Sequence, residues 1–323
     1  MAAWPRVGCK RSTPMRYLWT LALAISITLP LAAADLPTFT PPGAKLEKLW
    51  GEGIFTEGAC EGPDGLVYFS DIGTRIMKFD PKTGTTSVHR DPSRKSNGLK
   101  FDAQGRLLAC EGASGGNRRV SITEKDGTIR ALADNWTGKK FNAPNDLTLD
   151  AKGRVYFTDP RYQGKEPREI ETESIYRIDP DGTLTQITTD VSRPNGIVIS
   201  PDGTKLLVAD NKPDGQRQLV SFPLAADGSL GAKTLLYNFE KGRGIDGMTV
   251  AVDGTVVATA GTKDLAGIWY FSPKGEKIGF LPTPEDPTNL CFAGPDHKTM
   301  YVTAGKSLYR IPSTLTGMPT VRK

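Results

Sequence analysis

Six times along the chain, a turn rich in Gly and Asp leads into a short run of β-branched and aromatic residues, and a second such run follows. The first runs, with their turns, occupy 63–71, 102–110, 150–159, 201–210, 252–260 and 294–303. The second runs are Arg75–Phe79, Arg119–Thr123, Ser174–Ile178, Gln218–Phe222, Gly267–Phe271 and Ser307–Ile311. Turn residues followed by such runs read as β-hairpins. No strong 3.6-residue period appears beyond the first 34 residues. The turn glycines Gly65, Gly105, Gly153, Gly203 and Gly254 are 40, 48, 50 and 51 residues apart. Repeats of 40–50 residues made of short strands are the signature of propeller blades. Six of them predict an all-β, six-bladed β-propeller. A β-sandwich is the alternative, but it does not require a sixfold repeat. No linker or shift of composition divides residues 35–323, which read as one domain.

A second pattern runs in phase with the first. Just before each hairpin a polar residue, usually followed by Gly, opens a short hydrophobic strand. The series is Glu61-Gly62, Asn97-Gly98, Asn145-Asp146, Asn195-Gly196, Asp246-Gly247 and Asn289-Leu290, at intervals of 36, 48, 50, 51 and 43 residues. Taken singly these are turn dipeptides. Their recurrence places one polar side chain per blade on the innermost strand, where repeats converge on a central channel. A ring of oxygen-bearing side chains without Lys or His suits a hard divalent cation. Calcium leads, with Mn²⁺, Mg²⁺ and Zn²⁺ as alternatives.

Charge and leader narrow the classes. The net charge of +5 comes from 41 basic and 36 acidic residues. The first 34 residues carry Arg6, Lys10, Arg11 and Arg16 and no acid. The rest is close to neutral, so nucleic acid is not an expected partner. Basic residues up to Arg16, the apolar run Leu18–Leu29 and Leu31-Ala32-Ala33-Ala34 make residues 1–34 a signal peptide. The run is short for a membrane span, and Pro30 interrupts it. The expected mature protein is therefore periplasmic or extracellular, with no membrane attachment after cleavage. Cys60, Cys110 and Cys291 remain, as buried small residues; Cys60 and Cys110 hold matching repeat positions, so a bridge between them is an option. With only His89 and His297 in the chain, a His-rich metal site or His-based triad has little support.

The segments Glu61-Gly62-Pro63, Ser96-Asn97-Gly98-Leu99, Phe141–Leu147, Tyr156–Pro160, Arg193–Ile197, Asp246-Gly247-Met248 and Thr288-Asn289-Leu290 together resemble the gluconolactonase, senescence-marker-protein and luciferin-regenerating-enzyme family, from about residue 45 to 312. The resemblance implies one divalent cation at the floor of the central pocket, with Glu61, Asn145, Asn195 and Asp246 as ligands. It implies hydrolysis of a small-molecule lactone or ester, with Asp246 also as base or nucleophile. Asn97, Asn145, Arg118 and Arg119 become substrate-binding candidates, and Asp159 a supporting residue. The chain departs from the family at Glu111-Gly112, where relatives carry Glu-His. It also departs in the insertion Ala113–Asn117 and in the charged Arg161–Glu173 loop, a candidate partial lid. A non-enzymatic, metal-stabilised propeller that binds a partner or ligand is the alternative. Trp136 and Tyr162 are expected to pack in blade cores.

Overall fold

The computed structural model describes residues 1–4, 8, 36–212, 215–240 and 242–319. All but residues 1–4 and 8 of the expected leader lie outside the described residues. Strand β1 (Glu47–Trp50) precedes the first hairpin. Blade I is β2 (Thr56–Glu61), β3 (Val67–Asp71), β4 (Arg75–Asp80) and β5 (Thr85–Arg90). Blade II is β6 (Ser96–Phe101), β7 (Leu107–Glu111), β8 (Arg119–Thr123) and β9 (Ile129–Ala133). Blade III is β10 (Leu147–Leu149), β11 (Val155–Asp159), β12 (Ser174–Ile178) and β13 (Leu184–Thr188). Blade IV is β14 (Pro194–Ile199), β15 (Lys205–Asn211), β16 (Arg217–Pro223) and β17 (Thr234–Phe239). Blade V is β18 (Ile245–Val250), β19 (Val256–Ala260), β20 (Gly267–Phe271) and β21 (Lys277–Pro282). Blade VI is β22 (Pro287–Ala293), β23 (Thr299–Ala304) and β24 (Ser307–Pro312), with β1 as its outermost strand. Each blade is a four-stranded antiparallel meander, and the pairing Glu47↔Arg310 closes the ring.

The expected six-bladed propeller is the observed fold. The second runs named above coincide with β4, β8, β12, β16, β20 and β24. Their residues are buried on both faces because each blade is covered by two neighbours. In β4, Ile76 enters the cluster between blades I and II, and Met77 enters the one between blades VI and I. Six such apolar clusters lie between successive blades and form the core. The outermost strands are different: β5 reads Thr-Thr-Ser-Val-His-Arg and is mostly exposed.

The cysteines follow the same geometry. Cys60 faces the cluster between blades I and II, and Cys110 the one between II and III. They lie on opposite sides of blade II, so they do not bridge; all three described cysteines are free and buried. Burial pushes the Cys60 thiol up to about 12.

The turn glycines behave as expected. Gly65 turns at φ +77°, with open space around it. Apart from Glu61-Gly62, which ends β2 and leads into its turn, the repeated polar dipeptides are not turns: they lie in or at the start of the innermost strands. Gly98 is required by a close approach between blades. Its N–H donates to Asn145 O at 2.8 Å, and a Cβ there would stand 2.7 Å from Asp146 Cα. Gly98→Ala should therefore force blades II and III apart, at a cost of about 2 kcal/mol. Gly65→Ala, which suffers only from its backbone conformation, should cost about 1 kcal/mol. Urea unfolding of the two variants checks the order.

Candidate functional site

The site begins with an irregularity shared by the blades. In β2, β6, β14, β18 and β22 the pairing to the next strand slips by one residue, at Glu57/Cys60, Ser96/Leu99, Pro194/Ile197, Ile245/Met248 and Pro287/Asn289. Such β-bulges kink a strand and re-aim its side chains. Here they hold Glu57, Asn97, Asn195 and Asp246 in the wall or floor of one cavity, and Asn145, just before β10, joins them. Bulges leave backbone groups without a ladder partner, and hydroxyls on the second strand supply it. Thr158, Thr259 and Thr303 accept from the N–H of Asp146, Gly247 and Asn289 at 3.0–3.1 Å.

An acid at or next to the end of three of the second strands does a related job. Asp71 accepts from the N–H of Ile54 and Phe55 at 2.8 and 3.2 Å. Asp159 accepts from Asn142 and Ala143, both at 2.8 Å, and Asp210 from Ser192 and Arg193, both at 2.8 Å. Each carboxylate pins the loop that leads into Glu57, Asn145 or Asn195. Asp159 is thus a supporting residue, as the resemblance implied.

The cavity holds about 1080 Å³. Within it, Asn195 Nδ2 donates to Asp246 Oδ1 at 2.6 Å, and the Arg243 guanidinium binds Asp246 Oδ2. Arg243 Nη2 also donates to Pro287 O at 2.8 Å. Glu57 is 3% exposed and takes a hydrogen bond from the Gly58 N–H at 3.1 Å. Burial first, and then the charges of Asp246 and Asp146, push the Glu57 carboxyl well above the usual range. Asp146 is raised to about 6, again chiefly by burial. Buried carboxylate is therefore in excess here, with Arg243 as the adjacent cation. Among the described residues no three His, Cys, Asp or Glu side chains form a metal-binding group. Two carboxylates, Glu57 and Asp246, with the amides of Asn145 and Asn195, can still offer a hard cation an all-oxygen set.

Glu61 is not part of this cluster. It ends β2 at the other end of the strand. There its Oε1 accepts from Gly294 N at 2.8 Å, and its Oε2 lies 3.3 Å from His297 Nδ1. His297 holds the left-handed turn position, φ +50°, that glycine fills in the other blades. Glu61 thus links blade I to the turn of blade VI, and Glu57 is the cavity acid. The signal for Glu57 was present: Glu57-Gly58 lies 40 residues before Asn97-Gly98, the spacing of Gly65 to Gly105.

The arginine pair is also structural. Arg118 Nε donates to Phe141 O at 2.6 Å, and its Nη groups reach Glu169 and Lys140 O. Arg119 pairs with buried Glu111 at 2.7 Å, opposite Arg90 at 2.6 Å. Burial works to raise Glu111, but its bonds to Arg119 and Arg90 win and hold it below the usual range. Neither arginine lines the cavity; Gly112 and Lys95 do. Trp136 packs on Tyr176 in a blade core as expected, with ring centroids 5.7 Å apart. Tyr162 instead lines the cavity, where its hydroxyl accepts from Asn211 Nδ2 at 3.3 Å. The Arg161–Glu173 loop meets the Ala113–Asn117 insertion, with Glu166 accepting from Ser114 and Gly115 N–H at 3.2 and 3.1 Å. Ala113, Ser114, Tyr162 and Gln163 then form one side of the rim. Arg118→Ala should lower unfolding free energy by about 2 kcal/mol, since buried carbonyls lose a charged donor. It should leave the ranking of ligands unchanged; denaturant melts and a ligand panel on the same variant check both.

Residues 50–306 match the family described as the SMP-30/Gluconolactonase/LRE-like region. A gluconolactonase of Zymomonas mobilis is 31% identical over 282 residues, covering 78% of this chain and 77% of its own. A 6-deoxy-6-sulfogluconolactonase of Pseudomonas putida is 26% identical over 244 residues, covering 75% and 79%. A solved gluconolactonase of Xanthomonas campestris superposes with a TM-score of 0.77 at 29% identity, over 85% of this chain and 91% of that one. With the family matched from blade I to blade VI, the chain belongs to the SMP-30/gluconolactonase/LRE-like family.

Proposed function

We propose that this chain is a lactone hydrolase working with one divalent cation, calcium first, held by Glu57, Asn145, Asn195 and Asp246. The observation that carries this reading is the pair of buried carboxylates and two amides at the floor of a deep cavity. The relatives named gluconolactonase and sulfogluconolactonase support the substrate class. A bound cation supplies Lewis-acid polarisation of the lactone carbonyl and charge to offset the developing oxyanion. The protein's own groups do the rest. Asp246 accepts a proton from the attacking water as the water oxygen adds to the carbonyl carbon. Asn195 and Arg243, each bonded to one Asp246 oxygen, fix the direction of that carboxylate. The ring C–O bond then breaks, the ring oxygen leaves as a hydroxyl after protonation, and a hydroxy acid is released. Asn97 and Asn145 offer hydrogen bonds to substrate hydroxyls, and Tyr162 with the docked rim limits access of bulk water. The basic and apolar leader supports an exported enzyme.

Hydrolysis of glucono-1,5-lactone by the purified protein, stripped of metal and then resupplied with Ca²⁺, Mn²⁺, Mg²⁺ or Zn²⁺, tests this reading. Metal-restored turnover is expected. Asp246→Ala should lower kcat by about 100-fold or more, and Glu57→Ala should weaken the metal requirement's midpoint severely. Glu61→Ala should leave kcat and metal affinity near wild type. A loss in Glu61→Ala with retention in Glu57→Ala would reverse the ligand assignment. A metal-binding protein inert on every lactone would favour the ligand-binding propeller.

A further inference from the structure

The charged side chains lining the cavity are unevenly placed. The carboxylates are Glu57 and Asp246; the cations are Lys95, Arg193, Arg217 and Arg243. Arg243 is tied to Asp246 and to Pro287 O. The other three cations are not neutralised in this way. Among the described residues, Arg217 makes only a 3.5 Å bond to Gly215 O, and it has no acidic partner. Arg193 lies over the Tyr162 ring at 5.3 Å, and its Nε is 3.5 Å from Glu173. Its two terminal amino groups have no protein partner among the described residues. The Lys95 ammonium has none either.

Elsewhere in the fold, buried or half-buried arginines find acids at 2.6–2.8 Å: Arg75 with Asp71, Arg106 with Asp102, Arg154 with Asp150 and Arg177 with Asp179. A half-buried cation without a partner loses hydration and gains nothing from the protein alone. Backbone cost points the same way. Arg94 and Lys95 both adopt left-handed conformations, φ +59° and +61°, and Lys95 O is held by Gly112 N at 3.0 Å. Two consecutive non-glycine residues in that region persist because the surrounding structure fixes them, and they keep Lys95 in the cavity wall. The cavity also has room beyond one sugar ring.

We propose that the substrate is an acidic sugar lactone: the ring sits at the axis, and a carboxylate, sulfonate or phosphate substituent is held by Arg217 and Arg193, with Lys95 reaching in from blade II. This rests on the lactone-hydrolase reading and names its substrate class. Planar guanidinium groups match such oxyanions in two-point contact, whereas a neutral hydroxylated tail would leave Lys95 and Arg217 uncompensated and Arg193 with only its distant Glu173.

The test uses the purified full-length protein with its restored metal. Rates are compared on glucono-1,5-lactone, glucaro-1,4-lactone, 6-sulfo-6-deoxyglucono-1,5-lactone and 6-phosphoglucono-1,5-lactone, each corrected for spontaneous opening. In parallel, calorimetry measures binding of gluconate and 6-phosphogluconate. At least one acidic lactone should exceed glucono-1,5-lactone by tenfold or more in kcat/KM. That ratio should collapse towards one in Arg217→Gln and in Arg193→Gln, and fall with added salt. The acid that gains most identifies the substituent. An acidic-to-neutral ratio at or below one, or a ratio that both variants leave unchanged, overturns the acidic substrate while glucono-1,5-lactone turnover keeps the hydrolase. If no lactone turns over, the hydrolase reading fails and calorimetry decides the cationic wall. Tighter binding of 6-phosphogluconate than gluconate, lost in the variants, upholds the acidic ligand, and equal binding overturns it.

Discussion

The structure depends on how closely six strands can crowd around one axis. Regular pairing would run each innermost strand straight past the channel. The bulges interrupt it at the level where Glu57, Asn97, Asn195 and Asp246 stand. Neighbouring backbones then approach so closely that a side chain is excluded at Gly98. Polar residue and glycine are therefore two halves of one device. The first supplies the site's chemistry, and the second lets the next blade come near enough to share it.

That device works because the second strands answer for it. A bulged backbone buried near an axis would otherwise carry unmatched polar groups, each costing about 1–3 kcal/mol. Thr259 and Thr303 accept from bulges, Thr158 accepts from the residue just before β10, and Asp71, Asp159 and Asp210 hold the loops in front of three innermost strands. The site is thus supported from one strand away by residues that never face the cavity. On its wall Lys95 and Arg217 have no acidic partner among the described residues, and this contrast separates scaffold from binding surface.

Blade number and the second and third strands were legible because burial on both faces favours short runs dense in β-branched and aromatic residues, as in Gly267–Phe271. The outermost strands were not, because β5 and its counterparts are half exposed and carry ordinary polar residues. The ring of polar positions was legible by its period, but its first member was displaced by four residues. Glu61-Gly62 imitates the repeated dipeptide, whereas Glu57-Gly58 keeps its spacing. Arg118 and Arg119 could not be sorted from Arg193 and Arg217 by type. What distinguishes them is the acid or carbonyl each one meets, and Glu111, Glu169 and Phe141 are brought there only by the fold. Tyr162 likewise leaves the blade core because its loop docks on a neighbouring blade's insertion.

Strand β1 completes the last blade, so Glu47 pairs with Arg310 across 263 residues of chain. Contacts that distant must await a large loss of chain entropy, and folds built on them form slowly. Blades I to V can each assemble locally, but the ring becomes a closed object only when strand β1 is captured by its last blade. Cavity walls drawn from blades I to V are held at fixed mutual distance only in that closed ring. Recognition at the axis is consequently a property of the completed circle: a chain shortened at either end would keep most of its sheet and lose the enclosure that makes the sheet a binding site.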